Sequence, residues 1–133
     1  MKTVDVRNAA AEAVAAHANR PATTIIHDGP DARLVVFRIA PGQAVSPHRN
    51  ASTVTLTVIS GRGLVRGGED ERAVETGETM VFEPNELHGM RAESEELVLL
   101  ATITPRPGSR SSDAPQPIMA SRSSATRDGD GAP

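Results

Sequence analysis

Two of the four histidines in this 133-residue chain stand where chemistry could be done. The stretch "PGQAVSPHRNASTVTLTVISG", residues 41–61, sets His48 and then Asn50 after a Pro41-Gly42 turn, ahead of an alternating strand. His88 follows later, behind the loop "EPNEL". An imidazole changes charge near neutral pH, so each ring can ligate a metal or move a proton. Further donors for a metal would be His27 on "TTIIHD" and Glu83 or Glu86 ahead of His88. Each of these reads more simply as a strand residue or a solvated loop charge, and His17, beside Val14, reads as packing.

Other chemistries lack their residues. The chain has no cysteine, which excludes disulfides, thiolate metal sites and cysteine nucleophiles. Ser46 has no strand-turn-helix setting, no carboxylate pair is placed for glycoside hydrolysis, and no phosphate-cradling loop occurs. The 14 basic and 17 acidic residues leave a net charge of −3 with the basic ones scattered, unlike a nucleic-acid surface. Phe37 and Phe82 are the only aromatic residues, so stacked bases are not expected either.

The elements that must position the histidines fall into three zones. Residues 6 to 18 carry Val6, Ala10, Val14 and His17 at helical spacing and predict a short amphipathic helix in an extension over 1–21, ended by Arg20-Pro21. Residues 22–104 hold short strands, "TTIIHD", "ARLVVFRI", "TVTLTVIS", "GLVRG", "RAVETG", "TMVFEP", "HGMRA" and "LVLLATIT", broken by turns at Asp28-Gly29-Pro30, Pro41-Gly42, Gly67-Gly68 and Thr76-Gly77. Such spacing predicts an all-β sandwich or barrel. Alternation puts Val54, Leu56 and Val58 on one face, as it does Val35, Phe37 and Ile39, and Leu97, Leu99, Ala101 and Ile103. Three such faces suffice to line an aliphatic interior, with Met90 as a pliable filler. From 105 to 133 prolines, serines, glycines and aspartates dominate, which predicts a disordered tail. No apolar run reaches transmembrane length and the N-terminus is a poor secretion signal, so the expected setting is cytoplasmic and free of membrane.

The spacing in the barrel zone resembles the cupin superfamily, whose first motif is G-x5-H-x-H-x3,4-E-x6-G and whose second is G-x5-P-x-G-x2-H-x3-N. Gly42, His48, Asn50 and Gly61 fit the first frame, and "GETMVFEPNELHGMRA", from Gly77 through Pro84 to His88, fits the second with the proline one place late. The resemblance spans residues 33 to 104. It implies a cupin-type β-barrel or jelly roll with His48 and His88 as metal ligands and catalytic residues. It also implies a small-molecule pocket lined by Asn50, Val54, Leu56, Phe37 and Met90. The departures fall on the same site. Asn50 stands for the second histidine, Val54 for the glutamate, Asn85 for the second-motif glycine and Ala92 for its asparagine.

The expectation is therefore a small cupin that holds a divalent ion (iron, manganese, nickel, zinc or copper) on His48 and His88, and binds or transforms a small molecule beside it. Two alternatives stand next to it: a metal-free ligand-binding cupin without catalysis, and a metal-free acid-base enzyme of cyclase, dehydratase or epimerase type. Whether the protein is an enzyme is left open by these residues. The resemblance also implies a homodimer, since small cupins often pair through edge strands, which covers exposed backbone groups.

Overall fold

The computed structural model describes residues 1–108. It is all-β apart from one short helix, α1 (Val6–Glu12), and its strands are β1 (Ala22–Asp28), β2 (Arg33–Ile39), β3 (Ala44–His48), β4 (Thr53–Gly67), β5 (Asp70–Glu75), β6 (Thr79–Phe82), β7 (His88–Arg91) and β8 (Leu97–Thr104). Every strand pair is antiparallel, and the sheet curls along the order β1-β2-β8-β4-β7-β3, with β5 and β6 also held by β4. Among the described residues no helix is long and apolar enough to cross a membrane.

The strand β4 joins the two walls of the barrel. Its first half pairs with β6 and β8, and its second half pairs with β5 and β7. "TVTLTVIS" and "GLVRG", expected as separate strands, are thus one 15-residue strand. The joint shows in the side-chain phase. Val54, Leu56 and Val58 are buried before it, and Gly63 and Val65 after it, so the inward parity shifts by one residue. A register irregularity between Val58 and Ser60 absorbs that shift, as a bulge does when a strand must change sheets without turning its core face to water. Gly61 completes the bend at φ +81°, and a Cβ there would lie 1.9 Å from the Glu96 carbonyl oxygen.

The three inward faces read from the sequence meet as expected. Val35, Phe37, Ile39, Leu56, Leu97 and Leu99 belong to one core cluster, which Val65, Val74 and Met90 complete from the opposite wall. A second, smaller cluster lies outside the barrel, where Ala10 of α1 packs on Val36 and Val98.

The helix is shorter than its periodicity predicts, and His17 does not pack with Val14. Asp5 caps the N-terminus by accepting from the Asn8 amide at 3.1 Å. At the other end the Arg38 guanidinium donates to the Ala10 and Ala11 carbonyls, taking acceptors that a longer helix would use itself. Ala13 is already extended, and Val14 forms a bridge to Thr23 on the sheet edge, which leaves His17 exposed.

The strand β3 was not expected from the sequence, because Pro47 interrupts it. Proline is tolerated there because β3 is an edge strand and Pro47 falls within a register irregularity between Val45 and His48. Beyond β8, the Pro105 carbonyl accepts from the buried Ser52 hydroxyl at 2.6 Å and Arg106 pairs with Asp28. The expected disordered tail lies, past residue 108, outside the described residues.

The bend in β4 yields a stability prediction. Gly61→Ala should lower the unfolding free energy by about 3 kcal/mol or more, since it adds a backbone clash to a left-handed conformation. Gly77→Ala, also at positive φ but with open space around it, should lose only about 1 kcal/mol. Urea denaturation of the two variants beside the parent checks the difference.

Candidate functional site

His48 ends β3 and His88 begins β7, and the two are direct partners across that strand pair. Their ring centroids are 4.4 Å apart with the planes tilted by 59°. The barrel thus brings together residues separated by 40 positions in the chain. His88 is 1% exposed and His48 is half-buried.

Each ring is fixed by the backbone just behind it. His48 Nδ1 lies 2.8 Å from the Ser46 carbonyl oxygen, and His88 Nδ1 lies 3.1 Å from the Glu86 carbonyl oxygen. A carbonyl only accepts, so both Nδ1 atoms carry a proton and donate it. That assigns the bare lone pair to Nε2 in each ring. Both Nε2 atoms are buried and have no hydrogen-bond partner among the described residues. A buried polar atom left unpaired costs about 1–3 kcal/mol, and these two are the buried side-chain polar atoms for which the described residues supply no partner.

The electrostatics keep both rings neutral. Burial pushes the His48 imidazolium below its ordinary range, against the opposing pull of the Ser46 carbonyl. His88 is pushed down to about 4, first by burial and then by repulsion from His48, with the Glu86 carbonyl acting in the opposite direction.

The wall beside His88 is apolar. The Phe82 ring lies 4.9 Å from the His88 ring, centroid to centroid, at an interplanar angle of 31°. Phe82 is the register partner of Val54, the residue standing where the family motif has its carboxylate. Gly67, the neighbour of His88 on β4, leaves room for Phe82, since a Cβ there would be 3.1 Å from that ring. Phe82 and the two backbone carbonyls escaped the sequence reading. Phe82 entered that reading only as one of the two aromatic residues, and carbonyl directions leave no mark on side-chain types.

The other expected site residues are placed as follows. Phe37, Val54, Leu56 and Met90 are all buried in the main core cluster. Asn50 is a turn residue: its Oδ1 accepts from the Ser52 amide at 2.9 Å, and its carbonyl accepts from the Asn85 amide at 2.7 Å. Arg49 donates to the Asn85 carbonyl at 2.8 Å, which ties the two motif loops together. Asn85 holds φ at +69°, a left-handed geometry that asparagine tolerates better than most residues. His27 is exposed on β1. Glu86 turns Oε1 back to the Glu83 amide at 3.0 Å. Two open hollows, of about 340 and 240 Å³, lie by Asp28 and Arg106 and by Arg62 and Glu75, and neither is lined by a site histidine.

Among the described residues no three His, Cys, Asp or Glu side chains gather around one point. The residues present fit an ion held by two protein nitrogens with its other positions filled from elsewhere. They do not supply the three or four protein ligands usual for zinc.

Burial of neutral His88 has a measurable consequence. Its folded pKa lies below the unfolded value of 6.5, so the unfolded chain binds the extra proton between those two pH values. The associated stability is complete above about pH 6.5 and falls as pH drops toward 4, by about 3 kcal/mol. Urea unfolding across that range should show the loss, and His88→Leu should remove most of it.

The sequence matches the family described as "Cupin domain" over residues 35–104. No curated protein matches it. The fold is similar to that of a protein with a double-stranded β-helix domain from Klebsiella pneumoniae, with a TM-score of 0.70 and 22% identity over 80% of this chain and 91% of that one. It is also similar to an RmlC-like cupin from Desulfovibrio desulfuricans, with a TM-score of 0.67 and 25% identity over 79% and 97% of the two chains. A third similar structure is the DMSP lyase DddQ from Ruegeria pomeroyi, with a TM-score of 0.60 and 13% identity over 64% of this chain and 47% of that one. With its motif histidines paired across β3 and β7 and its family matched over more than half its length, the chain belongs to the cupin domain family.

Proposed function

We propose that this cupin holds a metal ion on Nε2 of His48 and Nε2 of His88 and takes up a small molecule at the ion's remaining positions. The observation that carries the reading is the pair of buried, unpartnered Nε2 atoms, each on a ring whose Nδ1 is anchored to a carbonyl. A backbone carbonyl behind Nδ1 is the usual second contact of a metal-ligating histidine, because it fixes the tautomer and makes the opposite nitrogen more basic. When bound, the ion supplies Lewis acidity. The chain's own residues do the rest. Ser46 and Glu86 hold the rings, and Phe82 packs against His88 on the inner side.

Acid-base catalysis without a metal is less well supported. A general base works best with a pKa near the working pH, and His88 is held near 4. A ligand that only binds would need donors for two bare nitrogens, which a hydroxyl or amide could offer. The similarity in fold to a DMSP lyase supports small-molecule chemistry as an activity of such a barrel.

Metal analysis by mass spectrometry tests the reading. Wild-type protein, purified untagged or incubated with each ion and desalted, should carry close to one equivalent of metal, and His48→Ala and His88→Ala should each lose it. Free ion at 100 times its dissociation constant should add about 2.7 kcal/mol to wild-type stability and nothing to the variants. Metal-free wild type under every loading condition would contradict the proposal.

A further inference from the structure

We propose that the chain leaving β8, Pro105–Arg106, is a strap that positions the loop carrying His48, with Ser52 as the positioning residue that couples the two. The inference rests on the reading of the histidine pair as the functional site, and it concerns how that pair is held rather than what it holds.

Burial singles out Ser52. It is 5% exposed, and it and His88 are the buried polar side chains among the described residues. Its hydroxyl donates to the Pro105 carbonyl at 2.6 Å, a contact between residues 53 positions apart. A hydroxyl in so dry a place depends on that acceptor. Arg49, Asn50 and Ala51 are all that separates Ser52 from His48. The bonds around Ser52 reach both site loops. Its amide donates to Asn50 Oδ1 at 2.9 Å, and the Asn50 carbonyl accepts from the Asn85 amide at 2.7 Å. Arg49 closes the network by donating to the Asn85 carbonyl at 2.8 Å. His48 is thus held on two sides, its ring by the Ser46 carbonyl and the chain after it by Ser52.

The strap is pinned in its turn. Thr104 is the register partner of Thr53, which sets Pro105 opposite Ser52. Arg106 forks onto the Asp28 carboxylate, with Nη2 3.4 Å from Oδ2, and Arg33 Nε holds the same carboxylate at 3.2 Å. Asp28 and Arg33 are register partners where β1 ends and β2 begins, so the anchor belongs to the sheet and not to the loop. An exposed ion pair is screened by water and salt, whereas the Ser52 bond is not, so the larger effect on the loop falls to Ser52.

Ring-nitrogen spectra and amide hydrogen exchange of the full-length, metal-free protein test the strap. In Ser52→Ala the His48 ring nitrogens should shift, and exchange at the residue-52 and Asn85 amides should quicken about 10-fold. Arg106→Gln should move the same signals in the same direction by less, and Arg106→Lys should return them toward wild type. Arg62→Gln, which breaks an exposed pair with Glu75 and Glu95, should leave them in place. Folded Ser52→Ala with unmoved His48 ring signals would overturn the proposal, because a strap that only stabilises the barrel alters unfolding and not the native spectrum. Should Ser52→Ala fail to fold by circular dichroism, unmoved signals in Arg106→Gln would overturn it instead. Signals moved by Ser52→Ala but not by Arg106→Gln would overturn the part given to Arg106. The measurements contain no metal, so an unmoved His48 ring leaves the metal reading standing, and a protein that never takes up metal leaves the strap standing.

Discussion

Two hydrogen bonds from ring nitrogens to backbone carbonyls set the protonation pattern of the histidine pair. By fixing the protons of His48 and His88 on Nδ1, the Ser46 and Glu86 carbonyls leave two bare Nε2 atoms buried side by side. Neither ring can satisfy the other, because both nitrogens are acceptors and neither imidazole is easily protonated in so dry a place. The fold accepts that cost. Under the proposed function, the bound cation offsets it.

The rest of the architecture serves to hold those two carbonyls and rings in register. Strand β4 runs through both walls, and its bend at Gly61 lets one strand pair with β6 and β8 and then with β5 and β7. β7 is thereby fixed against β4 on one side while it receives β3 on the other, which sets His48 opposite His88. At Gly89 the strands come so close that a Cβ would sit 3.1 Å from the Pro47 backbone. The loops that carry the rings are tied by bonds from Asn85 to Asn50 and from Arg49 to Asn85. Asn85 and Asn50, two departures from the family motif, thus tie the two loops of the site together.

Much of the fold could be read from alternation alone. Val54, Leu56 and Val58 declared their face because a pleated strand has a period of two, and the burial pattern follows it up to the bulge. Past the bulge the rule fails, which is why one long strand looked like two. The helix was over-read for a similar reason. Val14 and His17 keep helical spacing, but Arg38 captures the carbonyls that would have continued the helix, a contact 27 or 28 residues away in sequence. Pro47 hid β3, since proline is compatible with an edge strand but gives no positive sign of one. At the site, the histidines were legible as residue types in a motif frame. Their tautomers and the Phe82 wall were not, because each depends on a backbone direction or a long-range contact.

The protonation pattern of the two rings tests this account most directly. Two-bond proton–nitrogen correlation spectra of 15N-labelled, metal-free protein at neutral pH separate protonated from bare ring nitrogens. The account predicts the same signature for both site histidines: a protonated Nδ1 and a bare Nε2, with each assignment confirmed by the loss of one pattern in the matching histidine variant. A ring carrying its proton on Nε2, or a single proton exchanging between the two Nε2 atoms, would contradict it. The pair would then satisfy itself, and the barrel would have no vacant lone pairs to offer a metal.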